Sequence, residues 1–157
     1  MTIQLTPPQS QQDWRQARRL IEEYAASLGV DLAFQNFAHE LQHLPGEYAA
    51  PTGAFLLAVE QGAHLGCVGV RKFSDGVGEV KRLYVIPAAR GRGVGALLAR
   101  SIVAEAGRLG FARLLLDTLP SMKGAQSLYL SLGFKPTAPY RYNPIPGTVF
   151  LELSKEA

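Results

Sequence analysis

Apolar positions change their spacing near residue 53, and that change divides the chain into two regimes. In the first, Trp14, Ala17, Ile21, Tyr24, Ala25 and Leu28 recur at helical intervals, so a helix is expected that ends at Gly29. Residues 2–5 read as a short strand before it. Two starts compete for the helix: the TPPQ run at 6–9, and Ser10 with Asp13 three positions on. A second helix is expected over 32–44 from Leu32, Phe34, Phe37, Leu41 and Leu44, stopped by Pro45 and Gly46. Beyond, apolar residues gather into strand-length runs at 54–60, 63–73, 79–86 and 112–118. The first two of these read as a hairpin around Gln61 and Gly62. Helices are expected over 95–110 and 122–133, and a last strand pair over 134–140 and 148–153, joined by YRYNPIPG. The order β-α-α-β-β-β-α-β-α-β-β predicts an α/β class fold, an α+β mixed sheet with one β-α-β unit, in a single domain 1–157.

Composition narrows this. Hydrophobic residues make up 47% and charged residues 18%, which places the chain among globular rather than disordered proteins. The formal charge of +3 suits an anionic small ligand. No basic stripe with interleaved aromatics is present, so nucleic acid is not an expected partner. A single cysteine, Cys67 in LGCVGV, excludes an internal disulfide and a four-cysteine zinc site and reads as a core thiol. The start MTIQLTPPQS has neither the basic residues nor the apolar run of a secretory signal, and no stretch reaches membrane-spanning length. The expectation is a cytoplasmic protein with no membrane partner.

The run HELQH at 39–43 matches H-E-x-x-H, which sets two histidines one helical turn apart, as a zinc protease would. A third ligand fails to follow: the place of the next histidine is Ala49, and Pro45 breaks the helix. His64, Glu47 and Glu60 have simpler readings as turn, loop and strand end. No metal is expected. His39, Glu40 and His43 are left either as the wet face of an amphipathic helix or as groups facing a substrate.

The chemical signal lies in RGRGVG at 90–95, between a strand and a helix. Three glycines allow a tight turn with successive N–H groups exposed, and the helix adds the positive end of its dipole. Such a turn suits a phosphate or pyrophosphate. A Walker loop is excluded because no Gly-Lys-Ser/Thr follows. A dinucleotide fingerprint is matched by Gly91, Gly93 and Ala96, with Asp117 at the end of the next strand. However, only about 60 residues follow the turn, too few for a doubly wound sheet.

The run VKRLYVIPAARGRGVGALL at 80–98 resembles the acyl-CoA-binding motif of the GNAT superfamily of N-acetyltransferases, Q/R-x-x-G-x-G/A, through Arg90, Gly93 and Gly95. Downstream, Ala125, Tyr129, Gly133 and Phe134 match that family's A-x-x-x-Y-x-x-x-G-F. The resemblance implies a GNAT-like acyl-CoA N-acyltransferase fold and acetyl-CoA as co-substrate. Its pyrophosphate would be held by the backbone of Gly91, Arg92, Gly93, Val94, Gly95 and Ala96, with help from the Arg90 and Arg92 side chains. An N–H on the strand Leu83, Tyr84 and Val85 would serve the thioester oxygen. Tyr129 is the expected acid toward the leaving thiolate, and Glu79 the expected base toward the amine. One departure is Met122, which stands where the family often has an asparagine bonding the pantetheine arm. Lys81 and Arg82, adjacent on a strand, are expected to face opposite sides unless a bulge intervenes, and one of them would select an acidic acceptor. Tyr140, Arg141, Tyr142 and Asn143 lie in a loop that borders the acceptor site in the family. The function so implied is acetyl transfer to a primary amine of a small molecule or amino-acid-like acceptor by direct attack. The alternatives are a non-catalytic acyl-CoA-binding module and an acetyltransferase of protein amino groups. Relatives commonly form homodimers.

Overall fold

The computed structural model describes residues 2–29, 31–33 and 36–154. Its elements are β1 (Gln4–Thr6), α1 (Gln11–Leu28), α2 (Phe37–Gln42), β2 (Gly53–Glu60), β3 (Ala63–Ser74), β4 (Val77–Val85), α3 (Val94–Arg108), β5 (Arg113–Thr118), α4 (Lys123–Ser131), β6 (Lys135–Pro136) and β7 (Val149–Ser154). The order is the one expected. Of the two starts proposed for α1, the second holds. The Asp13 N–H donates to Ser10 Oγ at 3.1 Å, and the Gln9 N–H donates to the Asp13 carboxylate at 2.9 Å. Gly29 closes the helix at φ +66°. α2 is shorter than the apolar pattern suggested. Leu32 is buried outside any helix, and Phe34 lies outside the described residues. The last strand pair is also shorter: after Pro136 the chain leaves the sheet until Val149.

Seven strands form one mixed sheet in the order β1-β2-β3-β4-β5-β7-β6. Every pairing is antiparallel except β4 with β5. That topology excludes the doubly wound sheet of the dinucleotide reading. Alternation along the strands feeds two cores, as period-2 geometry requires. Leu56, Val68, Val70, Val80, Leu114 and Leu116 face α3 with Leu98 and Ile102. Phe55, Leu57, Cys67 and Tyr84 face α1 with Ala17, Leu20 and Ile21. Cys67 is the core thiol expected: burial pushes its pKa up, and Sγ donates to the Arg82 carbonyl at 3.3 Å.

Two irregularities in β4 prepare the site. First, its register against β3 slips between Lys81, opposite Gly69, and Tyr84, opposite Cys67, so Arg82 and Leu83 share the single partner position Val68. This is a β-bulge, and Arg82 takes the left-handed conformation at φ +65°. Second, β4 pairs with β5 only at Val77, Gly78 and Glu79, against Arg113, Leu114 and Leu115. Beyond Glu79 the two parallel strands part. Among the described residues no helix is long and apolar enough to cross a membrane.

Candidate active site

The parting of β4 from β5 opens a cleft of about 640 Å³. Leu83, Tyr84 and Val85 form one wall, the glycine turn and the start of α3 another, and Ser121 to Ala125 at the head of α4 a third. Gly91 and Gly93 sit at φ +83° and +79°, where a side chain would be strained, so this turn requires glycine. Gly93 caps α3 without any side-chain hydrogen bond. The first N–H groups of α3 therefore keep their donor capacity for an anion. A Cβ at Gly95 would meet Val85 and Leu128 only at 3.7 and 3.8 Å, so its absence widens the cleft rather than relieving a clash.

The two arginines of the turn part company. Arg90 lines the cleft, with Nε donating to the Val85 carbonyl at 3.0 Å and its guanidinium 5.8 Å from the centre of the Tyr84 ring. Arg92 turns to Glu60 on β2, at 2.6 and 3.0 Å, and its side chain does not line the cleft; nor does Ala96. A phosphate there would meet Arg90 and backbone, with the Arg92 charge already neutralised.

Deeper in, the cleft shares Tyr24, Leu83, Met122 and Ala125 with a throat of about 30 Å³, which Lys81, Arg82, Asp117, Thr118 and Tyr129 also line. The bulge settles where the adjacent cations point. Lys81 keeps the face toward α1 that alternation gives it, and Arg82, held in the bulge, turns to the same face. Its guanidinium lies 6.0 Å from the Tyr24 ring and 5.2 Å from Phe37, and bonds both Glu40 oxygens at 2.8 and 2.9 Å. Burial pulls the Lys81 pKa down to about 7, helped by Arg82 and opposed by Glu79. Tyr129 is buried, edge-on to Phe134 at 5.3 Å; burial and then Tyr24 raise its pKa, so its proton is firmly held. Thr118 Oγ1 is buried in the throat with no hydrogen-bond partner among the described residues. Asp117 accepts from Asn143 Nδ2 at 3.1 Å.

On the α2 side lies a second cleft of about 590 Å³, lined by His39, Glu40, His43, Glu47, Arg71 and Arg141 among others. Beneath it sits Glu79, fully buried. Its carboxylate accepts from the Tyr140 hydroxyl at 2.6 Å, from Arg71 at 3.1 Å and from Arg141 at 3.2 Å. Burial pushes the Glu79 pKa up, but Lys81, Arg141, Tyr140 and Arg71 outweigh it, and the carboxyl ends below its usual range. The HELQH run does not build a zinc site. His39 and His43 stack with ring centres 3.9 Å apart, and His43 Nδ1 lies 2.8 Å from the His39 carbonyl oxygen. Glu40 is spent on Arg82 and also accepts from Tyr48 at 3.2 Å. Among the described residues no group of three His, Cys, Asp or Glu side chains could hold a metal.

The acetyltransferase (GNAT) family profile matches residues 14–134. The chain belongs to that family. It is 44% identical to an uncharacterised N-acetyltransferase of Schizosaccharomyces pombe, over 92% of this chain and 91% of the relative. It is 38% identical to an IAA acetyltransferase of Azospirillum brasilense, over 85% and 87%. The fold superimposes on the PaiA N-acetyltransferase of Thermoplasma acidophilum, solved in complex with coenzyme A, with TM-score 0.75 and 16% identity, covering 98% and 99%. As a GNAT protein the chain is an acyl-CoA-dependent N-acyltransferase on the family's mixed α/β fold. The sequence motifs pick out residues that the structure gathers around one cleft: Leu83 to Val85, Arg90, the glycine turn and Ala125. They do not single out Arg71 or Thr118. Glu40 and Arg82 each read as groups that could face a substrate, but not as partners of one another, because they come from elements far apart in the chain.

Proposed function

We propose that the chain, 1–157 as one catalytic domain, moves an acetyl group from acetyl-CoA to a primary amine of a small molecule or amino-acid-like acceptor by direct attack in a ternary complex. The observation that carries this reading is the parting of β4 and β5 into a donor-sized cleft. That cleft narrows to a polar throat at Tyr129, with a second cleft on the α2 side. Backbone N–H groups from Gly91 to Ala96 and the Arg90 side chain would take the pyrophosphate. N–H groups of Leu83 to Val85, on the strand freed from β5, would serve the thioester. Thr118 Oγ1, without a partner in the throat, would supply the polar contact that Met122 cannot. Tyr129 would give its proton to the leaving thiolate, a role that suits a phenol held protonated by burial.

Two groups compete for the amine's proton. Glu79 is the family-type base, but its carboxylate is ringed by three donors and its basicity is lowered. Lys81, with a pKa near 7, is matched to proton transfer at neutral pH.

The test is thiol release from acetyl-CoA with a panel of amines, together with melting curves. A melting shift with acetyl-CoA and amine-dependent thiol release with intersecting initial-rate lines are expected. Binding without release by any amine would leave the non-catalytic module. Release only with peptides bearing free amino groups would move the acceptor to protein. No shift at all would remove the reading.

A further inference from the structure

The α2-side cleft contains a cationic pair whose hydrogen-bonding is incomplete. Arg141 has 20% of its side chain exposed; one N–H group reaches Glu79 at 3.2 Å, while Nε is buried with no hydrogen-bond partner among the described residues. A buried guanidinium N–H without an acceptor is costly, and such groups in folded proteins are normally satisfied. Arg71, 15% exposed, gives two nitrogens to Glu79, both at 3.1 Å, and a third to Glu47. Glu47 differs from the other acids here. It stands on the short turn Gly46–Tyr48, its side chain is 66% exposed, and among the described residues its carboxylate pairs with Arg71. Ion pairs with one solvated member are weak and exchange readily.

Arg71 and Arg141 line this space and share Glu79, and Glu40 is bound through both oxygens to Arg82. If Glu47 swings out to water, the cluster of Arg71, Arg141 and Glu79 keeps one unit of positive charge, on two guanidinium groups that meet at Glu79, and Lys81 adds to it when protonated. Arginine presents its N–H groups as a planar fork, which fits the two oxygens of a carboxylate.

We propose that Arg141 and Arg71 form a carboxylate subsite, whose Arg71 arm Glu47 covers from the protein itself until the acceptor arrives, and that the acceptor is an amine carrying a carboxylate. The subsite deepens the N-acetyltransferase reading and rests on it. Glu47 acts as an internal stand-in for the acceptor's acid group.

The experiment compares kcat/KM at saturating acetyl-CoA for α-, β- and γ-amino acids, each beside its amide and its decarboxylated amine, with O-phosphoethanolamine as the phosphate arm. A charge-assisted pair lost should cost about tenfold or more. The best acid should therefore exceed its amide by about that factor. Arg141→Gln should raise the ratio of KM for the acid to KM for its amide about tenfold, a ratio in which any effect passed through Glu79 is shared, with the acetyl-CoA melting shift retained. Glu47→Gln should lower KM for the acid, a gain that misfolding does not produce. Acids no better than their amides, preference for the phosphate amine, or an acid KM unmoved in both variants would overturn the subsite. The acetyl-CoA melting shift separates the two failures: retained, only the subsite falls; absent in the wild type, the transferase reading falls with it.

Discussion

Glu79 and Lys81 stand two residues apart on β4, and each sets the other's proton affinity. Glu79 raises the Lys81 pKa against the larger effect of burial. The two competing bases therefore respond in opposite directions to one substitution. If Lys81 takes the amine's proton, Glu79→Gln lowers the Lys81 pKa, and the rising limb of the pH–rate curve moves to lower pH. If Glu79 takes it, the same change removes the base and the limb moves to higher pH. A kcat/KM profile between pH 5 and 10 reads the direction. Tyr129 yields a cleaner expectation. Tyr129→Phe keeps the ring packed against Phe134 and removes only the proton, so kcat should fall about tenfold to hundredfold with acetyl-CoA affinity nearly unchanged. Rapid-mix turnover beside equilibrium binding checks this, and equal rates would strip Tyr129 of the role.

Short α2 has no buried residue of its own and is fastened to the sheet through Glu40. Its partner Arg82 is almost fully buried, at 2% side-chain exposure. Removing one member of such a pair strands a charge, at about 3–5 kcal/mol. Glu40→Ala should therefore lower the melting temperature by several degrees, while Glu40→Ala combined with Arg82→Met should recover part of the loss. If the double variant melts lower still, the pair is not what fastens α2. The throat between the strands sets a second expectation. If the throat of about 30 Å³ receives the acyl group, as proposed, kcat/KM should fall by about tenfold or more from acetyl- to butyryl-CoA; equal rates would show that the throat does not measure the acyl group. These elements also show what the sequence disclosed. The glycine turn and the α4 block lie within a continuous 55-residue stretch, 80–134, and could be read directly. The α2-side cleft joins residues 39–47, 71 and 141, which no local spacing relates. Likewise the facing of Lys81 and Arg82 was open, because period-2 reasoning cannot tell where a strand slips by one residue.

Taken across the whole molecule, pH acts on stability from two sides. Glu79 and Glu40 have folded pKa values below their ordinary range, so their contribution is complete above about pH 4.3 and drains away as pH falls through the depressed values. Lys81 works in the other sense. Below about 7 it is charged in both states, and its burial is a full penalty. Between that point and the unfolded value of about 10.4, the folded chain has shed the proton that the unfolded chain keeps, so stability rises with pH. Melting temperature should climb from pH 7 to 9 in the wild type and lose that slope in Lys81→Met; a slope kept by the variant would assign it to another group. The bulge in β4 has a consequence of a different kind. Omit Arg82 and count onward: Val80, Leu83 and Val85 fall on one parity, Lys81 and Tyr84 on the other, matching the two cores without a break. Arg82 reads as a single residue inserted into a strand that was already in phase. A chain one residue shorter would keep an uninterrupted ladder there and would lose the offset that brings two cations to one side. In this fold, the indel and the substitution at position 82 are therefore different experiments: one resets the frame of the strand, the other only changes its lettering.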